Sequence, residues 1–219
     1  LPQDVWFPTS GNMKPQQTTQ FSAAYIQPLN DGFEFSVEGF YKYFTGLMYI
    51  QESRDEKLSR DYWEQMISQG TGNASGLEFL LSKKSGRLNM IASYTYSKTT
   101  RLFEDINGGV AYPFRWDRPH KLAIQMVFQP TTTISFNLNA VLMSGNPVTV
   151  PTGRYFTVDN RLVYDFSQIN NYRLPTYQRV DVGFTKEIKP EEHFETREFY
   201  GIHIYNLMGV SNPVNAEFQ

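Results

Sequence analysis

Asp117-Arg118-Pro119-His120 places a carboxylate, a guanidinium and an imidazole within four residues, the ingredients of acid–base chemistry. No nucleophile partner can be assigned to it, and it sits where a loop re-enters a strand. A structural salt link is therefore the reading it supports. Glu191-Glu192-His193-Phe194-Glu195 offers carboxylates and an imidazole to a metal, but it lacks the spacing of known metal motifs and falls in an expected turn. It reads as a solvated turn. Gly70-Thr71-Gly72-Asn73-Ala74-Ser75-Gly76 is glycine-rich, yet its third glycine is displaced from the phosphate-binding pattern and no helix follows. Neither a Ser-His-Asp set nor a catalytic carboxylate pair emerges, so no enzyme, metal or cofactor is expected.

Binding chemistry is better supplied. Tyr62 and Trp63 in one long loop, and Arg115 and Trp116 in another, combine apolar surface with hydrogen-bonding or cationic groups. Such residues suit contact with a peptide, a sugar or a siderophore. The competing structural reading makes Trp63 an anchor for its own loop and Trp116 part of an interfacial aromatic girdle.

The elements that must position these residues are strands. Alternation of period two recurs along almost the whole chain, and helical periodicity is scarce. In Gly32 to Phe44, Phe33, Phe35, Val37, Tyr41 and Tyr43 share a face opposite Glu34, Ser36, Glu38 and Lys42. About eight such strands are expected. The others centre on Phe21 to Tyr25, Leu77 to Ser82, Leu88 to Ser97, Lys121 to Gln129, Ile134 to Leu142, Arg179 to Thr185, and Tyr200 to Tyr205. Short and long connections take turns. Pro28 to Gly32, Lys83 to Gly86 and Gln129 to Thr132 read as tight turns, with a somewhat longer one from Lys189 to Arg197. Gln51 to Ser75, Thr100 to Pro119 and Ser144 to Pro175 are too long for ordinary hairpins.

Composition bounds the solvent of the apolar faces. A net charge of -2 over 219 residues gives no reason to expect a nucleic-acid partner. The absence of cysteine removes disulfides and thiolate chemistry. Mean hydropathy is -0.45, and no apolar run approaches the roughly 20 residues of a membrane-spanning helix. In a transmembrane barrel, however, only every second strand residue meets lipid, so averaged hydropathy stays low. None of the apolar-face positions is charged, while the opposite faces are rich in Ser, Asn, Gln and Thr, as a hydrated lumen requires. Tyr41, Tyr43, Tyr49, Tyr94 and Tyr96 fall toward strand ends, where an amphipathic ring suits a membrane–water interface. The fold expected is an all-β, antiparallel transmembrane β-barrel, present in part.

Particular stretches add a family resemblance. SGLEFLLSKKSGRL, SYTYSKTTRLF and YPFRWDRPHKL resemble, in this order, a strand and tight hairpin, the next strand, and a loop and return strand of TonB-dependent outer-membrane receptors of the Bacteroidetes type. LPQDVWFPTSGNMKPQQTTQFSAAY and FYGIHIYNLMGVSNPVNAEF are similar to that family's Trp-x-Pro loop and penultimate strand. The likeness covers essentially the whole chain. It implies a barrel of about 22 strands with a plugged lumen, so residues 1–219 would be its C-terminal portion, with plug domain and last strand outside this chain. The chain opens at Leu1 without a signal-like segment, in keeping with a processed or excised piece.

The function implied is TonB-dependent active uptake of a nutrient, whether siderophore, glycan, peptide or cofactor, across the outer membrane of a Gram-negative bacterium. The partners implied are outer-membrane lipid, TonB acting through the plug, and a surface lipoprotein of the kind some relatives carry. Two other classes compete with it. A passive or structural barrel, porin-like or part of a secretion complex, would lack the plug and TonB box. A soluble carbohydrate-binding β-sandwich would seal its apolar faces inside.

Overall fold

The computed structural model describes residues 13–50, 67–188 and 198–213. In chain order its strands are β1 (Gln17–Pro28), β2 (Phe33–Ile50), β3 (Ile67–Lys83), β4 (Leu88–Leu102), β5 (Tyr112–Pro113), β6 (His120–Phe128), β7 (Ile134–Met143), β8 (Pro147–Val148), β9 (Gly153–Phe156), β10 (Leu162–Asp165), β11 (Tyr172–Arg173), β12 (Tyr177–Ile188) and β13 (Glu198–Ile204). Helical geometry among the described residues is confined to short 3-10 turns at Asn30–Gly32 and Asn107–Gly109. Eight strands form one antiparallel meander, β1-β2-β3-β4-β6-β7-β12-β13, each paired with the next. The all-β architecture and the eight strands expected from alternation are both present. β1 and β13 each have a single neighbour, and the sheet does not close on itself.

Register carries the alternation across strands. Leu88, Phe128, Phe136, Phe184 and Ile202 lie in one cross-strand row, and Phe35, Leu81, Ala92, Ile124, Ala140 and Val180 in another. One residue away, Ile91, Gln125, Asn139 and Asp181 form a row on the opposite face. That polar face is concave. A hollow of about 510 Å³ spreads over it, lined by Asn89, Gln125, Asn137, Asn139, Asp181 and His203.

The apolar face is convex and uncovered, with Phe21 at 69% and Ile202 at 67% of full exposure. Phe136 stacks on Phe128 and tilts against Phe184 along the surface. These side chains, with Phe35, Phe79 and Ile124, coat a face of one sheet, which is unlike a sandwich core. Immersing each large side chain in hydrocarbon is worth roughly 1.5–3 kcal/mol. The band has the right height: the nine residues Leu88–Tyr96 rise roughly 27 Å along the strand at about 3.4 Å per residue. Tilt of about 40° reduces that to roughly 20 Å along a membrane normal.

At one end of the band Tyr94, Tyr96 and His120 stack on the outer face, and the Tyr94 hydroxyl pairs with His120 Nδ1 at 2.8 Å. Tyr49, expected in this interfacial belt, points the other way. Between Phe44 and Leu47 the register with β3 shifts, because β2 places Thr45 and Gly46 against the single residue Thr71. Gly46 has φ +64, the left-handed backbone such a bulge demands of glycine. Beyond the bulge, odd-numbered residues face inward.

Two further boundaries differ from expectation. β3 starts at Ile67, so Gly70 to Ser75 belongs to a strand and the loop expected from Gln51 to Ser75 is shorter. Its small residues suggested a loop, but ladder bonds to β2 and β4 hold them extended. Ser144 to Pro175 is not irregular either: β9 pairs with β10, and β8 with β11. The turn from Lys189 to Arg197, with Glu191 to Glu195 in it, lies outside the described residues.

Candidate functional site

The inward mouth of the sheet at its long-loop end is where the two described long loops meet. Phe103, Ile106 and Tyr112 are buried together there, against Leu47 and Tyr49 of β2 and Ile169 of the later loop. Tyr49 meets Phe103 edge-on with centroids 5.9 Å apart. The bulge at Gly46 makes this possible by turning Leu47 and Tyr49 inward.

Asparagines stitch the loops. Asn107 donates from Nδ2 to the Ile169 carbonyl at 3.1 Å and accepts the Ile169 N–H at 2.8 Å. Asn171 clamps Val150 in the same two-way fashion, and Asn170 donates to the Pro113 carbonyl at 2.9 Å. A side-chain amide has the donor and acceptor of a peptide group, so each clamp imitates one rung of a β-ladder.

Asp117 is 3% exposed. Its Oδ2 accepts from Arg173 Nη2 at 2.5 Å, and its Oδ1 accepts the Thr99 N–H at 2.6 Å. Arg173 Nη1 donates to the carbonyls of Asp117 and Gly145. The salt link expected of this motif exists, and its cation comes from the other loop rather than from the adjacent Arg118. Arg118 instead donates to Met143 Sδ at 2.6 Å and to Asn146 Oδ1 at 3.4 Å.

Above this framework lies a cavity of about 1060 Å³. Arg115 and Trp116 both line it, the Arg115 guanidinium 4.8 Å from the Trp116 ring. Trp116 is 60% exposed. Tyr62 and Trp63 lie outside the described residues.

Residues that sequence reasoning passed over complete the lining. Arg101 sits between the rings of Phe44 and Phe114, 4.6 and 4.3 Å from their centroids. Gly72, opposite Arg101 on β3, leaves the space: a Cβ there would lie 2.5 Å from Arg101 Nη1 and 2.7 Å from the Thr100 carbonyl oxygen. Arg101 continues the inward series Ser93, Thr95, Ser97 and Thr99, so its direction was available from period two. Tyr112 faces Arg101 across the β4–β5 pair. Burial chiefly, then the neighbouring Tyr49 and Asp105, push its hydroxyl up to about 12, with Arg101 pulling the other way. It remains a neutral phenol at physiological pH. Among the described residues no cluster of His, Asp and Glu could hold a metal ion.

A family model described as TonB dependent receptor-like, beta-barrel, matches residues 2–207. Among solved structures, the closed form of the ferric-catecholate import receptor Fiu from E. coli K12 is similar, with a TM-score of 0.61 at 15% identity. The alignment covers 95% of this chain and 26% of that one, so the chain spans about a quarter of that receptor's length. No curated protein matches the sequence.

Proposed function

The chain belongs to the TonB-dependent receptor β-barrel family, and from that premise we propose that it is the C-terminal portion of an outer-membrane receptor for active nutrient uptake. Such families reside in the Gram-negative outer membrane. The observation that carries this reading is a single sheet with an exposed apolar face and a concave polar one, reached from its long-loop end through a roomy vestibule. In lipid every backbone group must be satisfied internally, so the free edges of β1 and β13 call for further strands to close the barrel.

In this reading the long loops face the exterior and capture the nutrient, which Arg115 and Trp116, with Tyr62 and Trp63, bind rather than transform. A pull on the plug, delivered through TonB, opens the path. A surface lipoprotein over the loops is a compatible partner. Uptake of the native nutrient is expected to stop in cells lacking TonB. Accumulation that continued unchanged would replace active transport with a passive barrel.

A further inference from the structure

We infer that the vestibule selects an anionic ligand bearing a planar or aromatic group, with Arg101 as its innermost cation; this deepens the uptake reading and rests on it for direction of transport. The lining is one-sided in charge. Among the described residues Arg101, Arg115 and Arg118 all contribute, whereas no aspartate or glutamate does. Asp117, between Trp116 and Arg118, is held by Arg173 instead.

Arg101 is the informative member. Its Nη1 is buried and has no hydrogen-bond partner among the described residues, and its plane is held by rings on both sides. A guanidinium nitrogen shielded from water without an acceptor is costly, and ring faces offset only part of that cost. A carboxylate, sulfonate or phosphate entering the vestibule supplies the missing charge in a site already shaped by Gly72 and Phe114. Planar, delocalised guanidinium also favours flat anionic groups over compact ones.

The second half of the ligand follows from the rest of the wall. Six aromatic side chains of the described residues line the same cavity, Trp116, Tyr112 and Phe114 among them. A cationic peptide would be repelled by the three arginines. A flat ring carrying negative charge matches both features, stacking on the indole while its anion meets arginine.

The test uses the intact receptor purified in detergent, titrated by calorimetry with three probes of one shape. Trimesate (benzene tricarboxylate) has ring and charge, benzene tricarboxamide has the ring alone, and cyclohexane tricarboxylate has the charge alone. Trimesate is expected to bind at least about tenfold more tightly than either, a gap of one good interaction. R101Q is expected to weaken trimesate about tenfold, as for one charge-assisted hydrogen bond, while R101K loses less. Heat-modifiable gel migration checks that each variant folds. Should R101Q unfold, the exposed R115Q carries the same expectation at a smaller loss.

Equal affinity for all three probes would overturn the assignment. So would the absence of trimesate binding, which would mean that a carboxylate of the receptor itself already meets these arginines. TonB-dependent uptake that persists while trimesate fails removes the ligand class and leaves the transport reading standing; trimesate binding without TonB dependence does the reverse.

Discussion

Arg173 holds Asp117 twice, through the carboxylate at 2.5 Å and through the backbone carbonyl at 2.6 Å, and so ties together two loops whose sequences are 56 residues apart. Neither loop has a long ladder of its own at this point. The pair, with the asparagine clamps, does for the loops what strand pairing does for the wall below.

Removing that grip has a defined cost. Asp117→Ala leaves Arg173 without its anion and the Thr99 N–H without its acceptor. Because Arg173 is 34% exposed, water recovers part of the loss. The expected destabilisation is roughly 1.5–3 kcal/mol, the range for hydrogen bonds to a charged group. It is confined to the loops, so hydrogen exchange should accelerate in residues 103–119 and 144–176 while the protection of β6 and β7 is retained.

The two faces make opposite demands on adjacent residues. Ile124 lies in the outward row and Gln125 in the inward one. Ile124→Arg should cost roughly 2–4 kcal/mol, as for a cation near a bilayer midplane. Gln125→Arg should stay within about 0.5 kcal/mol, as for a substitution away from packed features. Urea-dependent folding of the intact barrel into vesicles measures both. Equal costs would contradict the assignment of the faces.

Tyr112 gives the loop layer a basic limit. Its folded ionisation lies near 12, above the unfolded value of about 10, so the folded state favours the neutral phenol. That contribution is whole below about pH 10 and disappears as pH rises through 12. Phenolate absorbance, compared with Tyr112→Phe, should show one tyrosine titrating late. Loop exchange rates in the phenylalanine variant should lose their rise over the same interval.

Much of the wall was legible because its two solvents impose period two on each strand. Phe33, Phe35 and Val37 announce their face without help from any other residue. The turns at Asn30–Gly32 and after Lys83 were legible from their residue types. β3 was cut short because Gly70, Gly72 and Ser75 look like loop residues until β2 and β4 are placed on either side.

Tyr49 was assigned to the wrong face because a bulge depends on how Thr45 and Gly46 meet Thr71, a relation between strands that no local pattern contains. Arg173 was invisible as a partner of Asp117 for the same reason. Arg115 and Trp116 do reach one vestibule, but their third companion there, Arg101, lay unnoticed in the middle of a strand signal. The Bacteroidetes likeness rests on the sequence stretches alone, since the structural neighbour is from E. coli.

The extra residue at Thr45–Gly46 has an evolutionary corollary. By resetting the parity of β2 at that height, it turns Leu47 and Tyr49 into the mouth while Phe35, Val37 and Tyr43 below it keep the outer face. On the uptake reading proposed above, substitutions above the step would retune recognition while the side chains below it go on facing the bilayer, so diet and insertion would be free to change separately.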